Sequence, residues 1–89
     1  MIRKFRKKPV VIEAIQFDGT VGNLWEIQGA MGYKVTPFRE LVTGRLWLSI
    51  TTLEGEMRAR PTDWIIRGVA AELYPCKDEI FKETYEEVK

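Results

Sequence analysis

The sequence predicts an α+β domain: a small antiparallel, mostly meander sheet of about five strands, free to curl toward a partial barrel, with one helix after the first strand and a short C-terminal helix. Three observations carry this. LWLSITTL, residues 46–53, and EMRAR, residues 56–60, both alternate side chains between two faces and flank Glu54-Gly55, read as a two-residue hairpin loop. Leu24, Ile27 and Met31 recur at the spacing of one helical face behind Asn23, a residue suited to cap a helix. Lys77-Asp78 opens a last short helix that carries Ile80 and Phe81 inward.

Each element follows from its residues. VVIEAIQF, residues 10–17, is apolar on both faces, which predicts a central strand covered on two sides. Glu13 is its one charge and needs a partner, an edge position or a raised pKa. Asp18-Gly19 ends the strand with turn chemistry. Asn23 with Glu26 three residues on reads as a variant capping box, and Gly32 ends the helix. Trp25 falls off the apolar stripe. Residues 33–45 suggest a short strand at Tyr33–Val35 and then a loop through Pro37, the best candidate for a mobile segment. In the strand at 46–53, Leu46, Leu48 and Ile50 face one side and Trp47, Ser49 and Thr51 the other. In EMRAR, Met57 and Ala59 oppose Glu56, Arg58 and Arg60. Pro61-Thr62 turns the chain, DWIIRG and AELYPC form two more strands about Gly68, and Thr84-Tyr85 lead a tail back toward the sheet.

Composition bounds the function. Eighty-nine residues make a single domain, residues 1–89, and 45% hydrophobic content is enough for one core without disulfides or metals. A net charge of +1 argues against a strongly basic nucleic-acid binder. One cysteine allows no internal disulfide, and no apolar run approaches a membrane span, so the expectation is a cytoplasmic protein that is not membrane-bound. Charge is uneven: Arg3, Lys4, Arg6, Lys7 and Lys8 crowd the start, and Asp78, Glu79, Glu83, Glu86 and Glu87 crowd the end. Two solvated termini that lie near each other account for this best; a basic arm for an anionic partner is the sharper alternative.

The sequence contains no histidine, which removes the commonest general base, the commonest zinc ligand and every Ser-His or Cys-His nucleophile. Cys76 beside Lys77 is the only candidate nucleophile, with no imidazole to serve it. The residues that point to binding are Trp47, Trp64 and Tyr74 with Arg58, Arg60 and Arg67: aromatics interleaved with arginines on a small sheet stack bases and hold phosphates, although core aromatics under a solvated arginine face explain the same pattern. The enzymatic alternative uses Glu13, Asp63 and Glu72 with a metal. No cofactor is implied.

KKPVVIEAIQF, LEGEM, PTDWIIRGV and ELYPCKDEIFKETYEEV together resemble a family of small phage and prophage proteins of uncharacterised function. The match rests on Lys8, Pro9 and Val10, on Pro61, Asp63 and Trp64, and on Tyr74 to Lys77, Ile80, Phe81 and Thr84 to Glu86. Thr62 stands where the family carries a turn glycine, and Asp78 where it carries a proline opening the helix. Positive φ is costly for a β-branched residue, so Thr62 puts a glycine-type turn in doubt. The resemblance implies a phage gene expressed in the bacterial cytoplasm and transfers no catalytic residue. The expectation is therefore a phage accessory protein that acts as a non-enzymatic binding module. Its partner would be a host or phage macromolecule, or a nucleotide, with host defence one setting for it. An edge strand leaves a homodimer open.

Overall fold

The computed structural model describes all 89 residues and has two helices and six strands in two antiparallel sheets. The strands are β1 (Glu13–Gln16), β2 (Val35–Arg39), β3 (Leu46–Thr52), β4 (Gly55–Ala59), β5 (Trp64–Arg67) and β6 (Leu73–Cys76). The helices are α1 (Val21–Met31), continued by a 3-10 turn at Gly32–Lys34, and α2 (Asp78–Thr84). The class is the expected α+β, but the strands divide into β2-β3-β4 and β1-β5-β6 and do not close into a barrel.

The division is made at Arg60–Asp63. The Asp63 amide donates to the Arg60 carbonyl at 3.0 Å, and the Asp63 carboxylate accepts from the Arg60 amide at 2.9 Å. Thr62 then donates to Phe17 O at 2.7 Å and Phe17 donates to Asp63 O at 2.9 Å, which sends the chain along β1 instead of back beside β4. Thr62 takes φ +83, so the glycine-type turn is kept with a threonine in it. Opposite, Gly19 sits at φ +88 with Pro61 so close that an added Cβ would meet its Cγ at 3.1 Å.

The core lies between the sheets and α1: Phe17, Leu24 and Ile27 pack with Val35, Leu46, Leu48, Ile50, Ala59, Ile65 and Leu73. The stripe Leu24, Ile27 and Met31 thus faces inward as expected. The N-cap is Thr20, whose hydroxyl accepts from the Asn23 amide at 3.1 Å, and not Asn23. Asp18 holds Thr20 through its amide and hydroxyl, which moves the helix start upstream, and the Asn23 side chain instead accepts from the Asp18 amide at 2.8 Å. Trp25 is exposed and Gly32 caps the C-terminus at φ +83.

Four further expectations are corrected. Residues 33–45 are not a strand and a loop: Val35–Arg39 pairs with β3 straight through Pro37, which an edge strand tolerates because one side of its ladder is unpaired. The following turn is held by Glu40, whose carboxylate accepts from the Val42 and Thr43 amides at 3.0 and 2.8 Å. β1 is an edge strand, not a central one, since β5 lies in the middle of its sheet; Val10 and Val11 are exposed, and Glu13 finds its partner in Arg67. The β3–β4 loop is Leu53-Glu54 rather than Glu54-Gly55, because Thr52 pairs with Gly55 and the positive φ falls on Gly55 at the start of β4. In α2, Phe81 turns inward while Ile80 is exposed.

Candidate functional site

The outer face of β2-β3-β4 is built by alternation. Register pairs Phe38 with Trp47 and Ser49 with Arg58, so these side chains share the face opposite Leu48, Ile50 and Ala59. Phe38 and Trp47 meet edge to face, with centroids 6.2 Å apart at 66°. The Arg58 guanidinium lies 4.1 Å from the Phe38 centroid and that of Arg60 lies 5.5 Å from the Trp47 centroid. Both arginines are exposed and both rings half-buried. Thr36, Thr51 and Glu56 border the cluster, and the Ser49 hydroxyl is hydrogen-bonded to Glu56. This is an aromatic pair topped by two exposed, permanently charged planes, a set of groups able to stack on a flat π-system and to grip phosphate.

The six binding residues expected from sequence divide accordingly. Trp47, Arg58 and Arg60 come together here. Trp64, Arg67 and Tyr74 belong to the other sheet. Trp64 stacks on Phe81 at 4.0 Å and 9°, and its indole N–H donates to Asp78 Oδ1 at 2.9 Å. Gln16 Nε2 approaches the same oxygen at 3.3 Å and Lys82 holds Oδ2 at 3.0 Å. The indole hydrogen bond first, and the Lys82 ammonium second, hold the Asp78 carboxyl below its ordinary value. Tyr74 meets Tyr85 hydroxyl to hydroxyl at 3.3 Å, and its pKa is pushed up to about 12, by partial burial first and then by that bond. Arg67 donates to Glu13 Oε1 through Nε at 3.0 Å and Nη2 at 2.9 Å, and to the Ala30 carbonyl through Nη1 at 2.8 Å, tying β5 to β1 and to the end of α1. These three residues join helix to sheet. Phe38 is the member that sequence reasoning missed; its signal was the two-residue alternation Thr36–Phe38, hidden by Pro37.

The carboxylates Glu13, Asp63 and Glu72 do not converge. Glu13 pairs with Arg67, Asp63 closes the Arg60 turn, and Glu72 accepts from the Ala70 amide at 2.8 Å. No group of three or more Asp, Glu or Cys side chains is placed to share a metal ion. Partial burial, and then the Asp63 carboxylate, push the Cys76 thiol up, away from thiolate reactivity. The termini do approach each other, with Lys7 Nζ 5.5 Å from the Tyr85 ring centroid. No helix is long and apolar enough to cross a membrane. Comparison with protein-family models, with curated proteins and with solved structures gives no match.

Proposed function

We propose that the chain is a non-enzymatic binding module, a phage or prophage accessory protein of the bacterial cytoplasm, which holds a nucleotide or single-stranded nucleic acid on the outer face of β2-β3-β4. One observation supports this reading above others: Arg58 over Phe38 and Arg60 over Trp47, side by side on a sheet face that nothing covers. Stacking and phosphate contact are the two things a single strand needs from a protein surface, and they need no base-specific reading. The near-neutral chain makes this a local grip and not a long-range electrostatic one. The same face suits the sequestration of a signalling nucleotide, the anti-defence version of this role.

The test is fluorescence anisotropy with a labelled single-stranded oligonucleotide at low salt, beside native mass spectrometry of protein purified without nuclease. Trp47→Ala is expected to weaken binding about 5- to 150-fold, since one base–aromatic stack is worth ~1–3 kcal/mol. Replacing Arg58 and Arg60 together by alanine is expected to reduce the slope of log affinity against log salt by about 1.4. A strand that does not bind at low salt, or binds equally well to Trp47→Ala, overturns the reading.

A further inference from the structure

Two three-stranded sheets have four edges, and three of them are blunted. β2 carries Pro37, β6 carries Pro75, and β4 carries Glu56 and Arg58 on a strand that begins with glycine. The β1 edge has no such device. It pairs only with β5, and the residues before it, Val10-Val11-Ile12, lie in no strand although they continue it. From Val10 to Gln16 there is no lysine or proline, and the one charge, Glu13, meets Arg67 through Oε1 alone while its side chain stays 69% exposed. Val11 is 74% exposed.

A groove of about 340 Å³ adjoins this edge, walled by Val10, Val11 and Ile12 and by Trp64, Phe81 and Tyr85. An open strand edge beside an apolar groove is the geometry that accepts an added strand. Charge selects the strand and its direction. Upstream of Val10 the chain is basic, with Arg6, Lys7 and Lys8; downstream it is not, with Glu13 and then Asp18. An antiparallel copy of the same segment runs its basic arm past Glu13 of the partner subunit, whereas a parallel copy sets basic arm on basic arm. Glu86 and Glu87 also line the groove, so acid stands beside its apolar wall.

We propose that the Val10–Gln16 edge is a self-association surface, on which a second copy of this chain pairs antiparallel about a two-fold axis at Val11, joining the two grooves into one apolar face. This stands apart from the nucleic-acid reading: it uses the opposite sheet and shares no residue with the Phe38–Trp47 cluster.

Sedimentation velocity of the full chain across a concentration series tests it. Val11→Lys puts like charges opposite each other at the axis, at a side chain the folded monomer leaves exposed. Leu41→Lys, at a still more exposed apolar residue on the β2–β3 turn, is the control. The expected result is a wild-type dimer whose dissociation constant rises by roughly 100-fold in Val11→Lys and is unchanged in Leu41→Lys, with both variants keeping the wild-type circular dichroism spectrum. A wild type that stays monomeric at about 100 µM, a range in which even weak specific pairs form, overturns the proposal. So does a dimer that Val11→Lys leaves intact.

Discussion

Thr62→Gly is expected to stabilise the protein. Thr62 is the second central residue of the turn that switches the chain between sheets, and its φ of +83 falls where type II turns call for glycine. A side chain with a Cβ costs about 1–2 kcal/mol in the left-handed region. Glycine removes that strain but returns about 0.5–1 kcal/mol as extra freedom of the unfolded chain. The net gain centres on about 0.75 kcal/mol, which for a domain of this size raises the melting midpoint by roughly 3–6 °C. Threonine is retained at this cost because the surrounding bonds overdetermine the turn: its amide is held by Phe17 O at 2.7 Å and its carbonyl by Gln16 Nε2 at 2.9 Å. Thermal and urea denaturation followed by circular dichroism measure the change, with Thr62→Val as the partner variant. Valine keeps the branch and the strain, so its stability is expected to stay near wild type. If Thr62→Gly proves less stable at an unchanged urea slope, the residue is not strained in solution and the account of the inter-sheet turn is wrong.

Arg67→Ala is expected to lower stability by about 1 kcal/mol in urea midpoint measurements, a small figure because the Glu13 carboxylate it pairs with is largely solvated, and no change in oligonucleotide affinity should accompany it. Asp78 sets an acid limit. Its carboxyl titrates below 3.8 in the fold, so its contribution is complete above that value and is lost as pH falls through the depressed pKa. Asp78→Asn should therefore lose less stability than wild type as pH falls below 3.8, as read by urea midpoints at successively lower pH. Alkylation of Cys76 should be slow at neutral pH, with a rate that is still climbing with pH beyond the ordinary value of 9.0; rapid reaction with iodoacetamide at pH 7 would contradict the partial burial that raises its pKa.

The local periods were legible and the pairings were not. Leu46, Leu48 and Ile50 alternate because each second side chain must leave water, and Leu24, Ile27 and Met31 repeat because one side of a helix must; both signals lie within one element and need no knowledge of the rest. Which strand lies beside which depends on contacts distant in sequence. Residues 13–16 pair with residues 64–67, and nothing within either stretch says so. The candidate site divided along the same line. Trp47 and Arg58 can be set on one face by counting from the β3–β4 loop, and a one-residue error in that loop still left them together because both strands keep their own alternation. Trp64, Arg67 and Tyr74 lie on adjoining elements of the chain but beyond the Arg60–Asp63 turn, so composition grouped them with a sheet to which they do not belong.

Val10-Val11-Ile12 was misread for a reason that itself bears on function. A segment apolar on both faces reads as a buried central strand, because in a monomer that is the arrangement that removes both faces from water. In the monomer β1 is an edge, and Val10 and Val11 just before it are 48% and 74% exposed. Apolar residues on an undefended edge carry a standing cost in exposed surface and in aggregation risk, and neighbouring edges of this fold show that proline and charge are available to avoid it. A second strand on that edge would turn β1 into the central strand its composition describes. The pattern that fails to match the monomer is the one expected of a dimer.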